Sequence, residues 1–171
     1  GAQSSCSAVV GDITGDGGKE IVAGNDHLYA WSANGIEVRD DDNDPQTWGI
    51  FSNEVQIVTG AVALGEMDRG SPGLETFVTC WDDSNKAFVV RGNGSFPANW
   101  PRNPDFNTPQ KGYWADSAVM DVDGDGLCEV FAPAKNGNLY AWHPNGTPLG
   151  ASQAFKSGLG TYMRVSPSFA K

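Results

Sequence analysis

No stretch of this chain approaches the roughly 18 consecutive apolar residues of a membrane-spanning helix, so no membrane insertion by helices is expected. Basic residues are few, 11 Lys and Arg against 21 Asp and Glu, for a net charge of −10. A surface of that sign repels polyanions, which argues against nucleic acid and anionic membrane as partners. Cysteine is scarce and odd in number: Cys6, Cys80 and Cys128 lack metal-ligand spacing and cannot form a complete disulfide framework. One pair remains open to them; otherwise each packs as a small apolar residue on a strand. Only two histidines are present, His27 and His143, both flanking a repeated apolar strand and both read as turn or edge residues. With no nucleophile elbow and no zinc-protease helix, the residues for catalysis in a shared cleft are missing, and an enzyme is not expected.

Turn formers and strand formers are plentiful instead. Gly at 22 and Pro at 10 accompany 39% hydrophobic and 11% aromatic residues, a composition for many short strands and tight turns. The acidic run Asp40, Asp41, Asp42 and Asp44 reads as a solvated loop, because like charges in a row stay hydrated. A start at Gly1 rather than Met fits a processed chain or an internal piece.

Comparing the chain with itself is the most informative step. One copy runs from Ser7 through Asp12, Asp16 and Glu20 to His27-Leu-Tyr-Ala-Trp31 and Asn34-Gly35; another runs from Ser117 through Asp121, Asp123, Asp125 and Glu129 to Asn138-Leu-Tyr-Ala-Trp142 and Asn145-Gly146. A weaker middle copy has Glu66, Asp68 and Glu75, then Ala87-Phe-Val-Val and Asn93-Gly94. The leading acids, Asp12, Glu66 and Asp121, are 54 and 55 residues apart. The apolar runs are short, rich in β-branched and aromatic residues and bounded by Gly, Asn, Asp and Pro, so they read as strands. Alternation puts Leu and Ala of Leu-Tyr-Ala-Trp on one face and Tyr and Trp on the other. Tyr29, Trp31, Tyr140 and Trp142 are assigned to packing between sheets. Asn-Gly supplies the positive φ of a tight hairpin.

The expected fold is therefore all-β: three four-stranded antiparallel repeats, each the size of a propeller blade. Repeats are placed at 1–57, 58–113 and 114–165, with 166–171 as the first strand of a further blade or a closing strand. Three blades fall short of the about four to eight in a closed propeller, so the chain is an incomplete propeller or part of a larger ring or array. Further blades, in the same chain or in neighbouring copies, would complete it.

Asp121-Val-Asp123-Gly-Asp125-Gly-Leu127-Cys-Glu129 is the strongest chemical signal. Oxygen ligands alternating with small residues wrap a hard cation, and Ca²⁺ accepts such sets most readily. Zinc would be expected to recruit His or Cys, which the loop does not supply in a suitable set. The expected ligands are side-chain oxygens of Asp121, Asp123, Asp125 and Glu129 with the Leu127 carbonyl. The first loop keeps Asp12, Asp16 and Glu20, has Thr14 at the second ligand position and Gly18 at the backbone position. In the middle loop Gly70 replaces an acid and the spacing is one residue longer, so no strong calcium site is expected there. Without an ion each loop is simply an acidic Asp-Gly turn, a reading disfavoured most in the third, where three carboxylates repel one another.

Asp-x-Asp-Gly-Asp-Gly-x-x-Glu, followed by an apolar strand, Leu-Tyr-Ala-Trp and Asn-Gly, resembles the FG-GAP/VCBS repeat of secreted bacterial proteins and, more distantly, integrin α-subunit propellers. The resemblance covers nearly the whole chain and is most specific in the first and third copies. It implies calcium in the loop between the first two strands of a blade, an extracellular or cell-surface location, and a non-enzymatic role in adhesion, carbohydrate or protein binding, or surface assembly. Two alternatives stand beside it: a structural subunit of an extracellular fibre, and an accessory propeller part of a polysaccharide lyase or hydrolase. Trp48, Trp100 and Trp114 lie in Pro/Asn/Gly-rich connections and are candidates for a sugar-stacking platform, with packing as the alternative. Asn93 and Asn145 head acceptor-type sequons at hairpin tips, Asn93-Gly-Ser95 and Asn145-Gly-Thr147.

Overall fold

A computed structural model describes residues 6–40, 49–81, 85–104 and 112–160, together with 163, 167 and 168. Among them there is no helix, and the strands form three antiparallel sheets. The first sheet is an up-and-down meander of β1 (Val9–Gly11), β2 (Glu20–Gly24), β3 (His27–Ser32) and β4 (Ser52–Gln56). The second contains β5 (Ala63–Gly65), β6 (Glu75–Thr79) and β7 (Ala87–Val90). The third is a four-stranded meander again, β8 (Ala118–Met120), β9 (Glu129–Pro133), β10 (Leu139–Trp142) and β11 (Ala154–Lys156). The first strands of the sheets are neighbours in space, β1 beside β5 and β5 beside β8.

The expectation of four strands in every repeat fails in the middle. Among the described residues where a fourth strand would run, pairing with β7 is limited to Ala87 and Arg102, which exchange two backbone hydrogen bonds of 2.9 and 2.8 Å. Pro97, Pro101 and Pro104 bracket that point, and proline cannot donate to a ladder, so pairing does not extend. The segment 166–171 lies outside the described residues except for Pro167 and Ser168, neither of which is in a strand.

Two apolar layers bind the sheets together. Val22, Leu28, Ala30 and Val55 of the first sheet pack with Val78, Phe88 and Val90 of the second. The opposite face of the second sheet, Phe77, Ala87 and Val89, packs with Val130, Ala132, Tyr140 and Trp142 of the third. Hence β6 and β7 are buried along their whole length. The Leu-Tyr-Ala-Trp strand obeys its period of two in both outer sheets, with different results. Tyr140 and Trp142 are buried against the middle sheet, whereas Tyr29 and Trp31 stack on each other on the outer face of the first sheet and stay half-exposed. Val10 (64% exposed) and Ile21 (36%) add to that apolar face, against which no sheet lies among the described residues. The assignment of Tyr29 and Trp31 to packing between sheets is therefore not met among the described residues.

The three Asn-Gly turns are the same object. In each, the residue at or just past the end of the third strand donates its N–H four residues ahead and accepts from the glycine: Ser32 to Ile36 and from Gly35, Arg91 to Ser95 and from Gly94, His143 to Thr147 and from Gly146. Gly35, Gly94 and Gly146 have φ of 74, 81 and 80°, which only glycine adopts without cost. Cys6, Cys80 and Cys128 are not joined to one another, so the pairing left open by the sequence is not made.

Candidate metal centre

All three acidic loops follow the first strand of a sheet and close on a buried glutamate at the start of the second: Glu20, Glu75 and Glu129, 4, 0 and 0% exposed. In each, one carboxylate oxygen is pinned by backbone N–H groups at the mouth of its own loop. Glu20 Oε2 accepts from Ile13 and Thr14 at 3.0 and 3.3 Å, Glu75 Oε2 from Met67 and Asp68 at 2.7 and 2.8 Å, and Glu129 Oε2 from Val122 at 2.9 Å. These bonds offset part of the cost of burying a carboxylate and fix the loop's closure.

The loops are also tied to one another. The N–H of the residue before the closing glutamate donates to the carbonyl of the leading acid of the preceding loop: Leu74 to Asp12 at 2.8 Å, and Cys128 to Glu66 at 2.7 Å. The three loops therefore line one edge of the molecule in sequence order.

In the third loop the leading acid caps the turn. Asp121 Oδ1 accepts from Gly124 N–H at 2.7 Å and Oδ2 from Gly126 N–H at 2.9 Å, while Asp123 accepts from Asp125 N–H at 3.1 Å and Asp125 from Leu127 N–H at 2.7 Å. Gly124 and Gly126 take the positive φ, 82 and 87°, that this winding requires. As a result carboxylate oxygens of Asp121, Asp123 and Asp125 lie within 4.8 Å of one another, with Asp123 and Asp125 exposed. Three mutually repelling carboxylates with flexible oxygen geometry fit a hard divalent ion such as Ca²⁺. Glu129 stands in a second group, with Asp123 and His143. Leu127 is half-buried at the end of the loop, and the Arg69 guanidinium from the middle loop donates to the neighbouring Asp125 carbonyl.

The first loop repeats the capping: Asp12 accepts from Gly15 and Gly17 at 2.6 and 2.9 Å, and Asp16 from Gly18 at 2.7 Å. Among the described residues Asp12, Asp16 and Glu20 do not close to the same spacing, and Thr14, with its hydroxyl buried and unbonded, adds no charge.

The middle loop is built differently. Arg91 grips Asp68 through Nε at 2.8 Å and Nη2 at 2.7 Å, and donates from Nη1 to the Phe96 carbonyl at 2.9 Å. Burial would raise the Asp68 pKa, but the hydrogen bonds from Arg91 and Gly70 outweigh it and hold the carboxyl below its usual range. Glu75 behaves oppositely. Burial pushes its pKa from 4.5 to about 7, and the negative Glu66 adds to the rise despite the Met67 and Asp68 N–H bonds. Glu75 Oε1 and Glu66 Oε1 are both buried without a hydrogen-bond partner.

Two residues of this edge escaped the reading of the sequence. The sequence reads His143 as a turn or edge residue, and it does head the Asn-Gly turn, but that reading does not bring it to the acidic loop. Trp142 pairs with Val130, which sets the next residue, His143, opposite Glu129, and its Nδ1 lies 3.3 Å from Glu129 Oε1 and 3.8 Å from Asp123 Oδ2. Arg91 reaches its loop by the same register. The signal was the residue after the third strand, visible once strands β9 and β10 are aligned.

Trp100 takes the packing alternative rather than a place on an exposed platform. Trp100 is 7% exposed, donates from Nε1 to the Pro144 carbonyl at 2.7 Å and packs edge-on against Phe77 and Trp142. Trp114 is half-buried beside Trp81, with Lys135 Nζ 3.8 Å above its ring; Trp48 lies outside the described residues. Asn93 and Asn145 are exposed at hairpin tips, each accepting from the hydroxyl two residues on, Ser95 and Thr147, at 2.7 Å. No family model matches this chain, and no curated protein matches it either.

Proposed function

We propose that this chain is a non-enzymatic, calcium-binding segment of an extracellular β-propeller or blade array, with FG-GAP/VCBS-like repeats that serve adhesion, carbohydrate or protein binding, or surface assembly. The observation that carries the reading is the convergence of Asp121, Asp123 and Asp125 on one exposed loop, closed by a buried glutamate in a thrice-repeated frame. Calcium neutralises those carboxylates and holds the edge where the sheets begin; the first loop is the weaker of the two calcium sites. Titration calorimetry of the chelator-treated chain tests this. Heat of binding saturating at one or two equivalents of Ca²⁺, with a higher melting temperature, is expected; no heat and no shift at millimolar Ca²⁺ would sink it.

One observation favours assembly with further blades. The bond from Leu74 to Asp12 and from Cys128 to Glu66 has its counterparts at Lys19 N–H and Asp121 C=O without a partner among the described residues, and the apolar face of Val10, Ile21, Tyr29 and Trp31 matches the one that Val119, Val130, Tyr140 and Trp142 present to the middle sheet. A preceding blade, in the same chain or in another copy, supplies what that face and that N–H lack. Light scattering over a range of concentrations separates a monomer from rings or a fibre.

A further inference from the structure

The residue facing the closing glutamate differs among the repeats, and the loop differs with it. Ser32 pairs with Glu20 directly; the Val90–Thr76 pair sets Arg91 opposite Glu75; the Trp142–Val130 pair sets His143 opposite Glu129. At the second ligand position of the same loops stand Thr14, Asp68 and Asp123. A neutral residue thus accompanies a neutral one, and a basic residue accompanies an acid. In the middle loop the outcome is a fixed internal cation, since a guanidinium stays charged at any ordinary pH. In the third loop the group is an imidazole, whose neutral form offers a lone pair to a metal.

We infer that Asp123, Glu129 and His143 form a nitrogen-containing site for a zinc-class divalent ion, distinct in selectivity from the oxygen-only set of Asp121, Asp123 and Asp125. This rests on the third loop being a cation site. The geometry fits: Nδ1 of His143 stands 3.3 Å from Glu129 Oε1 and 3.8 Å from Asp123 Oδ2, and all three donor atoms fall within 4.8 Å of one another. Ligand atoms on a tetrahedral zinc with bonds of about 2.1 Å are about 3.4 Å apart. Glu129 is wholly buried and its Oε2 is anchored by the Val122 N–H, so Oε1 is aimed at the imidazole, as a ligand held from behind should be. His143 and Asp123 are 34 and 43% exposed, which leaves the ion a way in and a fourth position for water. A hard ion prefers the carboxylate set; an ion of intermediate softness prefers the set with the ring nitrogen.

The test is Co²⁺ and Zn²⁺ titration of the whole chain in saturating Ca²⁺, read by the visible Co²⁺ spectrum and by calorimetry. One equivalent should bind despite the calcium, with the spectrum of a nitrogen- and oxygen-ligated tetrahedral ion. His143→Ala and His143→Gln should each weaken Zn²⁺ more than about 100-fold while the calcium-dependent melting shift persists. Asp125→Asn should do the reverse, weakening calcium and sparing zinc. Equal Zn²⁺ affinity in wild type and both His143 variants, or full displacement of Zn²⁺ by Ca²⁺, overturns the inference. Calcium binding without zinc binding overturns it alone, whereas a chain that binds neither ion overturns the calcium reading as well.

Discussion

The first and third repeats share Leu-Tyr-Ala-Trp, a buried closing glutamate and the same Asn-Gly turn, yet they end in different states. Tyr140 and Trp142 are sealed against the middle sheet, and the loop of their repeat has three convergent carboxylates with an imidazole beside its closing glutamate; Tyr29 and Trp31 are half-exposed, and their repeat has Thr14 and Ser32 where the third has Asp123 and His143. The strand motif alone therefore settles neither burial nor metal chemistry. Burial follows from whether another sheet lies against the face, and on our proposal the residue opposite the glutamate sets the second.

The comparison breaks most easily at the aromatic faces. Trp142→Ala should destabilise the chain by about 3–5 kcal/mol, as truncation of a buried aromatic does, and Trp31→Ala by under about 1 kcal/mol. Urea unfolding of both variants checks this, and equal losses would mean that the first sheet is covered too. Next in size is the metal. With Ca²⁺ at about 100 times its dissociation constant, binding adds about 2.7 kcal/mol. For a chain of this length that is a chelator-sensitive melting shift of about 5–10 °C. Asp125→Ala should remove most of it and Asp16→Ala a smaller part, by scanning calorimetry with and without chelator.

The middle loop sharpens the contrast because it is expected to need no ion. Arg91→Ala should cost about 1–3 kcal/mol by leaving Asp68 without its partner. The double variant Asp68→Ala/Arg91→Ala should recover part of that loss, which a double-mutant cycle measures. A separate effect, read against pH rather than between variants, is a slope in stability. Because Glu75 has a folded pKa of about 7 against an ordinary 4.5, the folded state holds a proton that the unfolded chain has released between those values. Its contribution is full below 4.5 and is lost as pH rises through about 7, so stability should fall with pH across that window. Glu75→Gln, measured in chelator, should flatten the fall.

Much of the architecture was legible in the residues. Turn chemistry at Asn34-Gly35, Asn93-Gly94 and Asn145-Gly146 is local, and so is the alternation of Leu-Tyr-Ala-Trp; both act through φ and a period of two, which neighbours do not alter. The all-β class follows from them. The shortened middle sheet was less legible, because three prolines near Arg102 leave a single bridge where a strand was expected. The choice between platform and packing at Trp100 is not legible in the sequence, since its indole bonds to Pro144, 44 residues away. His143 and Arg91 were missed for the same kind of reason: an acidic loop is contiguous in sequence, but the residue that faces its closing glutamate belongs to the next strand and is found only through register.

The link from each loop back to the leading acid of the one before it, Leu74 to Asp12 and Cys128 to Glu66, has a genetic corollary. A unit that offers one donor upstream and one acceptor downstream joins to a duplicate of itself by the contact it already makes. Unequal crossing-over within such a gene would add or remove whole units without inventing a new junction, and a copy like the middle one, which carries its own guanidinium, would fit between neighbours that have Ser32 and His143 at that place.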